Sequence, residues 1–244
     1  MEGKIKLSTE KLKREKKAKK FFRIALLLIL LLLLILYFVI GIIYNSGNFS
    51  ITLDKNLYFD KGLIVYDDPN YKVYRTELYA LSPKSFDNVS YKWLPTDLDN
   101  RGAGSHNGEY TQDNYLAYTF YVENIGDDIS DYWSEVVIDD VVKQVDEAVR
   151  IRIYKNGDAV TYAKLGSNGR PEKDTVPFES DDLVVSDYVE NFKPGDIVRY
   201  TIVMWIEGND PECTDNILGG EFKIHMGFNS EHIDEQEKKE VDYE

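Results

Sequence analysis

The chain has 244 residues, with 43 Asp+Glu against 29 Lys+Arg, a formal net charge of −14 that would repel a phosphate backbone; no nucleic-acid partner is expected. Its single cysteine rules out an internal disulfide and any zinc site built on several cysteines. With 18 Tyr and 11 Phe it is too aromatic for a wholly disordered chain.

The acidity is unevenly placed. Residues 1–23 hold ten Lys/Arg and three acids, a net of +7, which leaves −21 for the remainder. Ile24 to Tyr44 then runs for 21 residues with no charge and no proline. As a helix this run rises about 32 Å, enough to cross a hydrocarbon core of about 30 Å. A core helix of a soluble domain keeps a polar face, and this run has none, so 24–44 reads as a transmembrane helix. It is longer than the ~7–15-residue apolar core of a cleaved signal peptide, and Tyr44-Asn45-Ser46-Gly47 offers no good small-x-small site. A retained signal anchor is expected, with residues 1–23 cytoplasmic and the acidic part outside the cell. The lysines also suit anionic headgroups, at about 1 kcal/mol each, although topology alone accounts for them.

From Asn48 onward, apolar and polar residues alternate in short runs. Phe49–Leu53 reads as a first strand, Leu63–Tyr66 and Lys72–Tyr74 as short ones, and Tyr115–Glu123 as a long one rich in aromatic and β-branched residues. Val137–Val149 hints at a helix, because Val141, Val145, Ala148 and Val149 fall at spacings of four, three and one. Arg150–Tyr154 and Ala159–Ala163 flank Asn156-Gly157, a hairpin signal because both turn positions need φ > 0. Leu183–Val185 precedes a turn at Lys193-Pro194-Gly195-Asp196. Ile197–Glu207 reads as a central strand. Glu221–Met226 places Phe222, Ile224 and Met226 on one face and Glu221, Lys223 and His225 on the other. Several strands separated by turns predict an all-β sandwich over residues 48–228, followed by an acidic solvated tail at 229–244. Trp205, Tyr118 and Phe120 are expected in its core.

Catalytic signatures are sparse. There is no His-Glu-x-x-His, no Gly-x-Ser-x-Gly and no Gly-x-x-x-x-Gly-Lys. His106, His225 and His232 lie far apart in sequence, with no spacing that asks for zinc. Cys213 has no local base and reads as a spare thiol. The acidic loop Glu207–Asn216 is the better candidate: Glu207, Asp210, Glu212 and Asp215 are hard oxygen ligands of the kind calcium takes. Its spacing is not that of the Asp-x-Asp-x-Asp-Gly loop, and Asp, Asn, Gly and Pro equally serve a tight turn. Asp97, Asp99 and Asp113 form a weaker set. No cofactor or metal is assigned.

Several segments together carry a resemblance: Leu116–Gly126, Asp146–Gly157, Tyr200–Cys213 and Gly219–Lys223. In order, they resemble a group of exported Gram-positive bacterial proteins of unassigned function, distantly similar to the TasA/camelysin family of surface and biofilm-fibre proteins. The resemblance covers about residues 48–228 and implies a jelly-roll or Ig-like β-sandwich displayed outside the cell. The fibre-forming members resemble substrates of a dedicated signal peptidase, whereas this chain is expected to keep its anchor. Camelysin implies metalloprotease activity, but no zinc motif here matches residue by residue, so no catalytic position is carried over. The expected function is a non-enzymatic structural or interaction role at the cell surface, in envelope, matrix or adhesion, through self-association or a surface partner protein. The alternative is a metal-dependent surface hydrolase, in which His106, His225 and acidic loop residues would converge.

Overall fold

A computed structural model describes residues 2–44, 49–81, 87–102, 104–106 and 114–232. The chain divides into two compact units, Met1–Ser46 and Gly47–Glu244.

The first unit is one helix, α1 (Glu2–Tyr44), so the expected span lies within a longer helix that also takes in the basic segment. Leu, Ala, Lys and Glu supply most of it, and these side chains lose little rotamer freedom in a helix. Within α1, the stretch Lys16–Val39 contains an 18-residue window of mean hydropathy 3.0, none of which is buried. The helix is long and apolar enough to cross a membrane.

The second unit is mostly strand. In chain order it contains β1 (Phe49–Leu53), a short helix α2 (Lys55–Phe59), β2 (Leu63–Tyr66), β3 (Glu77–Tyr79), β4 (Gly104–Ser105), β5 (Tyr115–Asn124) and β6 (Ser130–Val142). Then come β7 (Val149–Lys155), β8 (Asp158–Ala163), β9 (Val176–Pro177), β10 (Leu183–Phe192), β11 (Ile197–Ile206) and β12 (Glu221–Asn229). Among the described residues these form two sheets. The first has the order β10-β6-β12-β1-β3; the second has the order β2-β5-β11-β7-β8-β9, with β4 also paired to β5.

One apolar core lies between the sheets. Phe49, Ile51, Tyr132, Val136, Ile224 and Phe228 come from the first sheet; Leu116, Tyr118, Phe120, Ile151, Tyr200 and Ile202 come from the second. Aromatic rings join the layers. Phe120 stacks on Tyr200 at 5.5 Å and meets Phe228 edge-on at 6.0 Å, while Tyr132 meets Phe228 at 5.8 Å. Each such pair is worth about 0.5–1.5 kcal/mol beyond the area it buries. Close packing also fixes backbone: a Cβ on Gly62 would lie 2.5 Å from Cα of Gly126, and one on Gly126 would lie 2.2 Å from the carbonyl oxygen of Lys61. Only glycine fits at either position, where β2 meets the end of β5.

The sequence-predicted strands mostly appear. Asn156 and Gly157 take φ of +54° and +100° and close the β7–β8 hairpin, and Asp196 N–H donates to Lys193 C=O at 2.9 Å in the turn before β11. β11 is central, between β5 and β7. Phe222, Ile224 and Met226 are buried on one face of β12.

Four expectations change. Val137–Val142 is strand rather than helix, because β6 pairs with β10 on one side and β12 on the other. Helical character survives only as a 3-10 turn at Val145–Glu147, reached through left-handed Lys143 and Gln144. Lys72–Tyr74 is an exposed loop without a strand partner among the described residues, and the third strand is Glu77–Tyr79, paired with β1. Leu183–Val185 is only the start of a ten-residue strand. Trp205 is buried outside the inter-sheet core, on the other face of the second sheet. Residues 233–244 of the expected tail lie outside the described residues.

Candidate functional site

The outer face of the second sheet is covered in an unusual way. Alternate residues of a strand point to opposite faces, so β7 sends Ile151 and Ile153 toward the core and Arg150, Arg152 and Tyr154 outward. The antiparallel register sets Arg150 opposite Trp205 and Arg152 opposite Val203 on β11, and Arg152 opposite Thr161 on β8. The segment before β4 folds over part of this face: Val89, Leu94 and Leu98 pack on Tyr115, Ala117, Tyr154, Val203 and Trp205. Beside that cluster lies a pocket of about 210 Å³. Its floor is Arg150, Arg152, Thr161 and Trp205, and its walls are Tyr91, residues 172–175 and the Glu207–Asp210 loop.

Each acidic side chain of the loop has a defined place. Glu207 Oε2 accepts from the Tyr91 backbone N–H at 2.8 Å and from the Trp205 indole Nε1 at 3.0 Å, and its Oε1 accepts from Asn209 N–H at 3.2 Å. It ties the covering segment and the tryptophan to the end of β11. Asp210 is buried and accepts from the Arg150 guanidinium and from Glu212 N–H. Arg150 also lies 3.5 Å from Glu172. Glu212 Oε1 accepts from Ser167 N–H at 2.9 Å, and its Oε2 is buried without a partner. Asp215 opens an exposed 3-10 turn, Asp215–Ile217, away from these groups.

Of the four calcium candidates, the structure therefore brings together Asp210 and Glu212 and adds Glu172, with carboxylate oxygens within 4.8 Å of one another. The positive charge among them belongs to Arg150, which is only 4% exposed. Burial and the neighbouring Glu212 carboxylate push the Asp210 carboxyl up, while the nearby Asp210 side chain and the Ser167 N–H hold Glu212 down at about 2. The two carboxyls are thus pushed in opposite directions, next to a guanidinium.

The other sequence candidates stand apart. His106 Nε2 bonds Thr119 Oγ1 at 2.9 Å, and burial lowers its pKa. His225 Nδ1 meets Asp139 at 2.7 Å on the first sheet. His232 packs edge-on to Trp133 with Nε2 3.7 Å from Glu135. Among the described residues, no histidine joins a group of three or more metal-ligating side chains. Asp97 pairs with Arg101, which lowers its pKa, Asp99 lies 3.4 Å from Arg199, and Asp113 falls outside the described residues. Cys213 is a free, half-buried thiol whose pKa is raised by burial.

No family model matches the chain, and no curated protein or solved structure matches it. What the site can do must therefore come from its own groups.

Sequence reasoning missed Arg150, Arg152, Glu172 and Tyr91. The two arginines were visible as outward residues of a predicted strand, but their setting depends on β11, some fifty residues further on. The signal was an i, i+2 pair of arginines on one strand face, in a domain otherwise rich in acids.

Proposed function

We propose that this chain is a single-pass membrane protein of TasA/camelysin-like character. Helix α1 anchors it, residues 1–23 stay in the cytoplasm, and a jelly-roll or Ig-like β-sandwich at 48–228 is displayed outside the cell in a structural or binding role. The observation that carries this reading is the uncharged run Ile24–Tyr44 on a helix whose apolar window is wholly solvent-facing, directly behind a segment of net +7. The orientation rests on the ten Lys/Arg of residues 1–23, because the positive-inside bias counts Lys and Arg close to the span.

Binding is favoured over a purely scaffolding role by the outer-face pocket. It gathers charged and aromatic side chains on a rigid sheet and lies apart from the inter-sheet core. The test is extraction. Alkaline carbonate should leave a protein of 28.2 kDa that retains Met1 in the membrane fraction. A protein released by carbonate, with a new N-terminus near Ser46, would overturn the anchor.

A further inference from the structure

The two outward arginines of β7 are in opposite electrostatic situations. Arg150 is spent on Asp210 and Glu172. Arg152 donates its Nε–H to Thr161 Oγ1 at 2.9 Å and holds its guanidinium over the Trp205 ring, 5.2 Å from the ring centre. Its terminal amino groups meet no carboxylate among the described residues, although it lines the pocket. The acids around it are engaged elsewhere: Glu207 accepts from three N–H groups, Asp210 and Glu172 share Arg150, and Asp174 lies 4.0 Å from Lys173. Of the three cations that line the pocket, Arg150, Arg152 and Lys173, Arg152 is the one with no carboxylate partner among the described residues.

That cation is also held in place. β7 is hydrogen-bonded on both sides, Thr161 fixes the inner edge of the fork, and Trp205, itself 1% exposed and tied to Glu207, supports its face. A guanidinium held over an aromatic ring and fixed at Nε presents its two terminal nitrogens as a planar fork, the geometry that binds a carboxylate through two parallel hydrogen bonds.

We propose that the pocket binds a free carboxylate at the end of a short, uncharged chain, with Arg152 as the anion-binding residue. The four acids of the lining outnumber its three cations by one, so a doubly charged phosphate meets more repulsion there than a singly charged carboxylate. A volume of about 210 Å³ suits a chain end, being smaller than the roughly 300–1,000 Å³ of sites that enclose a whole small molecule. The half-exposed Tyr91 at the wall leaves room for the rest of the chain to leave the pocket. A carboxylate of this kind comes from a peptide C-terminus or from a sugar acid. The proposal deepens the binding reading above and rests on it, but not on which side of the membrane the domain lies.

The test uses the full chain in lipid nanodiscs and saturation-transfer NMR with four probes: N-acetyl-alanyl-alanine, its C-terminal amide, glucuronate and inorganic phosphate. The free acid should receive saturation and the amide should not. Arg152→Gln should weaken the acid's binding by about tenfold or more and Arg152→Lys by less, with the melting temperature kept within a few degrees. Binding of glucuronate in place of the dipeptide would keep the carboxylate and assign its source to a sugar acid. The proposal fails if acid and amide bind alike, if phosphate displaces the acid at equal concentration, if no carboxylate binds, or if Arg152→Gln leaves binding unchanged. None of these results bears on the anchor, which carbonate extraction tests separately.

Discussion

The inner and outer faces of the second sheet are built from the same strands and do different work. Inward, Ile151, Ile202, Phe120 and Tyr200 close against Phe228 and Tyr132 of the first sheet in an apolar layer. Outward, the same β7 and β11 carry a small apolar cluster on one side and, beside it, Arg150, Arg152 and a ring of acids. The inner face draws its stability from volume and shape, whereas the outer face depends on matching charges one by one. The difference teaches that the period-2 alternation of a strand lets one sheet serve as wall and as site.

The largest effect should come from the inner face. Phe120→Ala removes a ring that touches both sheets and should cost about 3–5 kcal/mol in denaturant unfolding. Next comes the buried charge of the outer face. Arg150→Gln leaves Asp210 and Glu172 without their cation and should cost about 3 kcal/mol. An unchanged unfolding midpoint for Arg150→Gln would mean that the acids do not depend on it.

A smaller effect should follow pH. His106 titrates below its ordinary 6.5 in the folded protein because burial, and then Arg101, oppose its charge. The unfolded chain therefore takes up the proton first as pH falls. Stability should be fully present above about pH 7 and decline as pH drops below 6.5. His106→Gln should flatten that slope in melting curves recorded between about pH 7.5 and 5. The smallest effect should belong to the other arginine: Arg152→Gln should cost no more than about 1 kcal/mol, since it breaks no ion pair. A cost equal to that of Arg150→Gln would erase the distinction between the two arginines.

Much of the fold was legible where local chemistry decides it. Asn156-Gly157 fixes its hairpin through φ > 0, Lys193–Asp196 its turn, and the alternation of Phe222, Ile224 and Met226 the buried face of β12. Where tertiary pairing decides, the sequence misled. The valines of 137–149 have helical spacing, yet two flanking strands hold β6 extended as far as Val142. β10 reads as broken after Val185 because Ser186-Asp187-Tyr188 does not alternate, and an edge strand with a solvated face need not. Lys72–Tyr74 has strand propensity but pairs with no strand among the described residues. In the acidic loop, the density of carboxylates was plain. Their assignment was not, because Glu172 lies forty residues away from Glu212 and Arg150 enters from a different strand.

The central claim is that the sandwich lies outside the membrane and the basic segment inside. Cys213 is the sole cysteine, so a Cys213→Ser background gives a chain without thiols into which one reporter can be placed. Asp158→Cys, at the exposed start of β8, should react with a membrane-impermeant maleimide on intact cells that express the full chain, and Lys16→Cys should react only after permeabilisation. Labelling of Lys16→Cys on intact cells, with Asp158→Cys protected, would contradict the account.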